Sequence, residues 1–155
     1  YLVCKTGSGP RHMAIDKKSA NLYVINELNS TLSVFNILSD TTDIKQTITT
    51  LPDGYQDKSS CADIHLSANG KRLYGSNRGH NSIVTWRVGA GGRLSSPEHQ
   101  DCGGNWPRNF AVSPSGKYFI VANQRSNEVS VVSAAGNQPA AGLSFNAPAC
   151  VKFVR

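Results

Sequence analysis

Residues 9–37 read GPRHMAIDKKSANLYVINELNSTLSVFNI, in which three short apolar segments are separated by polar turns. The segments alternate apolar with polar residues and are rich in β-branched and aromatic side chains, which is typical of strands rather than helices. The same pattern returns twice along the chain. With Asn26, Asn77 and Asn123 as markers, the repeat intervals are 51 residues (77 − 26) and 46 residues (123 − 77). The sequence therefore predicts a repeated unit of β-strands.

Apolar positions coincide across the copies, as Leu22, Leu73 and Phe119 do in the second strand of each. A further shift of 41 residues (151 − 110) aligns Val151 with Phe110, so a fourth copy begins at residue 148. Repeats of this length built from short strands are typical of the blades of a β-propeller. We predict an all-β chain. It is expected to be a β-propeller fragment of three four-stranded antiparallel blades, at about 10–50, 60–101 and 107–147, with the inner strand of another blade at 148–155.

From the inner strand outward, the strands are expected at 12–16, 22–26, 32–37 and 44–49 in the first copy, at 62–66, 73–77, 83–88 and 94–100 in the second, and at 109–112, 118–123, 128–133 and 142–146 in the third. Residues 2–5 are expected to be the outer strand of a preceding blade. A propeller closes with about four to eight blades, so the other blades are expected on chain outside this sequence or on copies of it. Because an unpaired apolar edge favours association, we do not expect the 155 residues alone to be a stable, active monomer.

The composition, with 39% hydrophobic and 17% charged residues, is that of a folded chain. The net charge is +6 and the basic residues are dispersed, which argues against a nucleic-acid-binding patch. It leaves a solubilising surface or an arginine-lined cavity for an anion as the alternatives. No apolar run is long enough to span a membrane. A cytoplasmic location is expected, with secretion as the alternative if an N-terminal signal has been removed.

The four cysteines, Cys4, Cys61, Cys102 and Cys150, show neither CxxC spacing nor an accompanying pair of histidines, so they predict no zinc site. Their density is far below that of a disulfide-stapled domain, and free, mostly buried thiols are expected. The sequence has no phosphate-binding loop, Gly-x-Ser-x-Gly elbow or metal-ligand spacing. We therefore expect neither a metal nor an organic cofactor.

Polar residues at the strand ends are brought together by the polarity of each hairpin. The first two strands of a blade are antiparallel, so the start of the first and the end of the second lie at the same end of the blade. This places Arg11 and His12 near Asn26 and Glu27. All such groups would face the mouth of one central channel. The equivalent residues in the second and third copies are Asp63, Asn77 and Arg78, and Arg108, Asn109, Asn123 and Gln124.

The repeat-equivalent residues Glu27, Arg78 and Gln124 differ in chemistry, although the apolar frame around them is kept. One asymmetric pocket on a symmetric frame would have this pattern. In the alternative interpretation, His12 bonds to backbone at a strand start, Glu27 and Arg78 form a solvated pair at the rim, and Arg108 is an ordinary surface residue. The remaining histidines are expected elsewhere, with His65 packed in its strand and His80 and His99 solvated in loops.

Several motifs, in this order, resemble the lactonase family of seven-bladed propellers. They are GPRH (9–12), NEL (26–28), SNRGHNSI (76–83), WPRNF (106–110), SPSGKY (113–118) and PACVKF (148–153). The family includes propeller-type 6-phosphogluconolactonases and fungal carboxy-cis,cis-muconate cyclases. The resemblance covers nearly the whole chain but only the C-terminal part of the family's fold, which implies that about four N-terminal blades lie outside it.

The resemblance implies catalytic roles for His12, Glu27, Arg78 and Arg108, with Arg11, Asn26 and Asn77 binding substrate. Opening a lactone needs an activated water, for which His12 would be the general base and Glu27 its orienting partner or an alternative base. Arginine donors would hold the oxyanion and the substrate anion. We expect a lactone hydrolase acting on a small anionic lactone, 6-phosphogluconolactone above all. A muconate-type lactonising cyclase and a non-catalytic propeller used for binding or structure remain the alternatives.

Overall fold

A computed structural model of the chain describes residues 2–38, 43–136 and 141–154. Its strands form three separate four-stranded antiparallel sheets, each in chain order. The first sheet contains β1 (Pro10–Asp16), β2 (Asn21–Asn26), β3 (Thr31–Asn36) and β4 (Gln46–Thr49). The second contains β5 (Ser60–Leu66), β6 (Arg72–Arg78), β7 (Ser82–Val88) and β8 (Leu94–Asp101). The third contains β9 (Pro107–Val112), β10 (Tyr118–Asn123), β11 (Glu128–Ser133) and β12 (Ala141–Ser144).

The first hairpin of the second sheet and that of the third have the same turn. The amide of Gly70 donates to the carbonyl of Ser67, and the amide of Gly116 donates to that of Ser113, each at 2.8 Å. Both glycines have a positive φ, +71° and +70°. Glycine adopts this conformation without the steric cost that a Cβ imposes. The SANGK and SPSGK segments therefore end their strands by the same local mechanism.

The sheets pack face to face in chain order, first against second and second against third. Tyr23, Ile25 and Val34 of the first sheet are fully buried in one cluster with Trp86 and other residues of the second. A second cluster joins the next pair of sheets, and there the rings of Tyr74 and Phe119 lie 4.9 Å apart. The inner strands β1, β5 and β9 are neighbours in that order. This is the arrangement of consecutive propeller blades, with the inner strands along one wall of a central channel.

The predicted fold class is confirmed, and the differences are at the strand ends. Each inner strand begins two residues earlier than predicted, at Pro10, Ser60 and Pro107, because its pairing continues past an irregularity that interrupts the alternation. The only helical turn in the described ranges is the short 3₁₀ segment Ala90–Gly92. No helix in the described part of the chain is long and apolar enough to cross a membrane.

The two terminal segments predicted to be strands have no ladder in the structure. Residues 2–5 and 148–154 carry no strand assignment, and residue 155 lies outside the described ranges. The C-terminal segment nevertheless lies beside β9, where the amide of Val151 donates to Oδ1 of Asn109 at 2.7 Å. The segment lies where the inner strand of the next blade would lie. It could form a ladder only with the second strand of that blade.

Large apolar side chains are exposed on the two outermost sheets. Met13 and Ile15 of β1 are exposed, as are Leu143 of β12 and Phe145 just after it. Exposed apolar faces favour association. The expectation that further blades or further copies cover them therefore remains a prediction.

The structure has all four cysteines as free thiols. Cys61 and Cys102 are buried, Cys4 is half-buried and Cys150 is exposed. Burial raises the pKa of the Cys61 thiol, and likewise that of Cys102, to about 12. Because the thiolate is the nucleophile and the metal ligand, these two residues contribute to packing rather than chemistry.

Candidate functional site

Two of the site arginines stand at bulges in the inner strands. In the first sheet Pro10 pairs with Asn26 while His12 pairs with Ile25, so Arg11 is an extra residue without a ladder partner. In the third sheet Arg108 is the extra residue, between Pro107 and Asn109. A bulge leaves one residue unpaired and re-aims its side chain. The irregular starts of the inner strands therefore direct guanidinium groups to the mouth end of the blades.

The centre of the candidate site is Asp63 on β5, whose side chain is only 6% exposed. Its two carboxylate oxygens accept hydrogen bonds from three blades. The donors are His12 Nδ1 (2.8 Å) and the Ile64 amide (3.0 Å) to Oδ1, and His65 Nε2 (3.0 Å), Asn109 Nδ2 (2.5 Å) and the Phe110 amide (3.2 Å) to Oδ2. A buried carboxylate is tolerated only when it is satisfied in this way.

These donors decide the charge of Asp63. Burial alone would raise its pKa, but the hydrogen bonds from His65, His12 and the Phe110 amide more than offset it. The pKa of Asp63 therefore lies below its ordinary value. The residue is an ionised carboxylate near neutral pH, and an ionised carboxylate can only accept hydrogen bonds.

This fixes the tautomer of the His12 ring. Because Oδ1 of Asp63 accepts, Nδ1 of His12 carries the proton, and in the neutral imidazole the lone pair is on Nε2. The side chain is 44% exposed, so the ring is partly open to solvent. The guanidinium Nη1 of Arg11 lies 3.3 Å from Nδ1 and 3.4 Å from Nε2. The arrangement is a base held by a buried carboxylate, with a cation beside it.

Glu27 lies beside Arg11, as hairpin polarity predicted, but it bonds to arginines rather than to His12. Its Oε1 accepts a 2.5 Å hydrogen bond from Nη2 of Arg78, and its Oε2 lies 3.4 Å from Nε of Arg11. Among the described contacts its carboxylate has none with His12, so Asp63 is the orienting partner and Glu27 is not. The hydrogen bond from Arg78, together with the nearby arginine charges, lowers the pKa of Glu27 despite partial burial. A lower pKa makes Glu27 a poorer general base than the sequence alone indicated.

The arginines form a compact positive cluster. Arg78 is buried, with a 6% exposed side chain, and donates to the carbonyl of Cys61 at 3.0 Å, so it is not a solvated rim residue. Arg108 Nη1 lies 3.4 Å from Oε1 of Gln124. Desolvation, followed by the charges of Arg78 and Arg108, lowers the pKa of Arg11. The positive charge that Arg78 and Arg108 place near Arg11 favours a bound anion.

The repeat explains which residues meet across blades. His12, Asp63 and Asn109 are equivalent positions (63 − 12 = 51 and 109 − 63 = 46), and each is hydrogen-bonded to the next. Arg11 faces Glu27, and the equivalent Arg108 faces Gln124. We call the set His12, Asp63, Glu27, Arg11, Arg78 and Arg108 the mouth cluster. Asp63 was grouped with Arg78 from the sequence, but its role as the anchor of His12 was missed, although the 51-residue shift points to that pairing.

The side chains of Asn26 and Asn77 bond to the frame of the blades. Both are buried, at 1% and 0% exposure. Asn26 Nδ2 donates to Thr31 and Ser33 hydroxyls, and Asn77 Nδ2 donates to the Thr50 carbonyl and the Ser82 hydroxyl. The third equivalent, Asn123, bonds in the same manner to the Cys102 carbonyl and the Ser130 hydroxyl. That Asn26 and Asn77 contact substrate stays a prediction, and the burial and the frame contacts of both side chains argue against it.

Replacing Asn77 with alanine is expected to destabilise the protein by about 1–3 kcal/mol, because the Thr50 carbonyl and Ser82 hydroxyl lose a buried partner. The Michaelis constant of the folded variant should stay unchanged. Urea unfolding and steady-state kinetics on the full-length protein measure the two effects, with the exposed Asn29→Ala as the matched control. A Michaelis constant that rises while stability is unchanged would return Asn77 to the substrate site.

The other histidines also differ in part from expectation. His65 does pack, with its ring 4.7 Å from that of Phe110, but it also donates to Asp63. His80 and His99 are not solvated; they are half-buried, with their ring centroids 5.7 Å apart. Burial, and then the neighbouring His99, lowers the pKa of His80. In the described ranges no group of three or more His, Cys, Asp or Glu side chains is arranged to hold a metal ion.

Two clefts adjoin the mouth cluster. The first, of about 560 Å³, runs along β1 and β5 and is lined by Arg11, His12, Asp63 and His65 together with apolar side chains. The second, of about 460 Å³, lies between the second and third sheets and contains Trp106 and Arg125. We call it the Trp106 cleft. Both volumes are in the range of small-molecule sites.

Comparison with known proteins gives the same result for fold and family. The family described as lactonase, 7-bladed beta-propeller, matches residues 1–153. A 6-phosphogluconolactonase from Erwinia tasmaniensis is 33% identical over 127 residues, which are 82% of this chain and 38% of that protein. The chain therefore spans about two fifths of the length of this curated relative.

Solved structures superimpose over almost the whole chain. The periplasmic gluconolactonase of Pseudomonas aeruginosa has a TM-score of 0.89 and 31% identity, covering 99% of this chain and 45% of that protein. A protein from Lactobacillus plantarum has the same TM-score at 25% identity, covering 99% of this chain and 47% of the other. Repeat, blade architecture and sequence similarity agree: the chain belongs to the lactonase family of seven-bladed β-propellers.

Proposed function

We propose that the protein containing this chain hydrolyses a lactone, and that 6-phosphogluconolactone is its substrate. The observation that carries the proposal is an imidazole anchored by a buried carboxylate inside a cluster of three arginines, at the mouth of a channel. The relatives support the reaction class, because one is named a 6-phosphogluconolactonase and another a gluconolactonase. Since the chain covers less than half of either, the activity is proposed for the longer protein.

The proposed reaction begins at His12. Its Nε2 takes a proton from a water molecule, and the water oxygen attacks the lactone carbonyl carbon. Asp63, hydrogen-bonded to Nδ1, stabilises the imidazolium that forms, as the carboxylate does in a triad. The bond between the carbonyl carbon and the ring oxygen then breaks, and the imidazolium returns the proton to the leaving alkoxide. Water and lactone are consumed and one hydroxy acid is produced.

The arginines would stabilise the charge that develops on the carbonyl oxygen. Donors in a partly desolvated cluster are more effective than in water, and they need little reorganisation when fixed by other contacts. Arg78 is fixed by Glu27 and by the Cys61 carbonyl. Among the described hydrogen bonds, the guanidinium of Arg108 has one, a long 3.4 Å contact to the neutral amide of Gln124. Arg108 therefore has more donor capacity left for an anionic oxygen, while Arg78 and Glu27 hold the cluster together.

Replacing Arg108 with glutamine is expected to lower kcat for 6-phosphogluconolactone by about 10²-fold, as for loss of one oxyanion donor. Acid release followed at constant pH measures turnover above spontaneous hydrolysis. The matched control is Arg72→Gln. Arg72 is exposed and lies at the end of β6 that is away from Arg78 and the mouth cluster. Full-length protein that does not accelerate ring opening of either 6-phosphogluconolactone or gluconolactone would disprove the proposed function. Equal losses in the two variants would disprove the role of Arg108.

A further inference from the structure

The Trp106 cleft is not used by the proposed ring opening, and its lining is cationic. It opens at the same end of the blades as the mouth cluster, beside the start of β5 and the start of β9. Lys58 and Arg125 supply the charges, and Ser60 and Asn105 add polar side chains. None of the lining residues carries a carboxylate. A cleft with two cations and no counter-charge among its walls suits an anionic group.

Trp106 is a rigid platform in this cleft. Its φ of +68° is rare for a bulky residue, and three bonds around it keep the backbone there. Its amide donates to Oδ1 of Asn81 at 2.9 Å, its carbonyl accepts from the amide of Gln124 at 3.1 Å, and the adjacent Asn105 carbonyl accepts from the Arg125 amide at 3.1 Å. Strained residues that the surrounding structure over-determines are typical of ligand sites.

Arg125 is stacked on this platform. The central carbon of its guanidinium lies 3.3 Å from the centroid of the Trp106 ring. A stacked guanidinium is held in place by its face and keeps its N–H edge available for an oxyanion. In the described part of the chain neither Arg125 nor Lys58 takes part in an ion pair. Neither cation is therefore neutralised by a direct ion pair there, and both are exposed to an incoming ligand.

The backbone also brings Lys58 into position. Gly79, at φ +99°, follows β6, and a Cβ on it would lie 2.3 Å from the carbonyl oxygen of Lys58. Only glycine lets the segment before β5 approach this closely. The hydroxyl of Ser59 donates to the Arg78 carbonyl at 3.0 Å and fastens the same segment. The backbone at Lys58 is thus fixed by packing, while its side chain is exposed at the edge of the cleft.

Arg78 connects this cleft to the mouth cluster. Its guanidinium is bonded to Glu27 and lies 5.4 Å from the centroid of the Trp106 ring. We propose that the Trp106 cleft binds the phosphate of a phosphorylated lactone, with Arg125 bonding two phosphate oxygens, Lys58 a third, and the ring end of the substrate reaching the mouth cluster. This inference rests on the proposed function and assigns the phosphate group of its substrate to a specific cleft of the fold.

The test is a double variant of the full-length protein, Lys58→Ala with Arg125→Ala. Loss of two charge-assisted contacts is expected to lower kcat/KM for 6-phosphogluconolactone by on the order of 10²-fold and to leave that for gluconolactone within about 2-fold. The matched control is Lys71→Ala with Arg72→Ala, exposed residues at the opposite end of the second sheet. Equal losses on both lactones, or no loss on either, would overturn the proposal.

A binding measurement keeps the inference independent of turnover. Calorimetry with 6-phosphogluconate, gluconate and inorganic phosphate is expected to show tight binding only of the sugar phosphate to the wild type, weakened on the order of 10²-fold in the double variant. Inorganic phosphate binding as tightly as 6-phosphogluconate would overturn the assignment to a substrate. If neither lactone is hydrolysed but the sugar phosphate binds through Lys58 and Arg125, the proposed function fails and the site stands. If the lactones are hydrolysed and the phosphate makes no difference, the site fails and the function stands.

Discussion

Replacing His12 with glutamine is expected to lower kcat for lactone hydrolysis by about 10²- to 10⁴-fold, the usual contribution of a general base. Glutamine keeps a polar side chain that can donate to Asp63, so the buried carboxylate is not left without a partner. It has no basic nitrogen to take the proton from water. The loss should therefore be in kcat, with little change in the unfolding midpoint.

The matched control for this variant is His99→Gln on the outer strand β8, where the ring bonds only to the carbonyl of Thr50 among the described hydrogen bonds. Turnover by that control should be close to wild type. Steady-state kinetics and thermal unfolding of the two variants, on the full-length protein, make the comparison. A His12→Gln enzyme that retains wild-type kcat would remove His12 from the reaction and move the role of the base to another residue.

Asp63→Asn is expected to have the largest effect on stability, with a loss of about 3 kcal/mol or more. An asparagine offers one acceptor oxygen and one donor where five donors now converge, so at least one ring N–H or amide is left facing another donor. The tautomer of His12 is no longer set, and activity should fall with stability. Denaturant unfolding measures the first effect, and the exposed Asp53→Asn, expected to stay within about 0.5 kcal/mol, is its control.

The same variant should also change the response to acid. The pKa of Asp63 is below its ordinary value in the folded protein. Its contribution to stability is therefore complete above the ordinary carboxyl pKa and is lost as the pH falls through the lower, folded value. The wild type should lose more stability than Asp63→Asn when the pH is lowered through that range. Parallel losses in the two proteins would mean that Asp63 is not the ionised group that the geometry indicates.

The sequence predicted the frame of this fold because the frame repeats. Alternation located every four-stranded sheet, and the same turn chemistry at SANGK and SPSGK marked the hairpins. Alternation did not reveal the first two residues of each inner strand. An irregularity in the pairing there breaks the period of two on which the prediction rests. Those are the positions at which Arg11 and Arg108 enter the site. Local pattern is thus least informative where a strand is distorted for function.

The candidate site was predicted in part, and the limit has a geometric reason. Hairpin polarity relates residues of one blade. It correctly placed Arg11 beside Glu27 and Arg108 beside Gln124. It contains no information on how neighbouring blades are rotated, so the bond from His12 to Asp63 could not be derived from it. The frame contacts of Asn26 and Asn77 were not predicted either. A residue that is identical in every copy maintains the copies, whereas a residue that differs between them, as Glu27 and Arg78 do, is free to serve one site.

The hydrogen bonds that pass from His12 to Asp63, to Asn109 and on to the Val151 amide have a consequence for cooperativity. Each link joins one blade to the next. Asp63 and Asn109 each bond in both directions, so a substitution at either position changes contacts in two neighbouring blades at once. Loss of one link should therefore loosen the blades on both sides of it, and the blades should not unfold independently of one another.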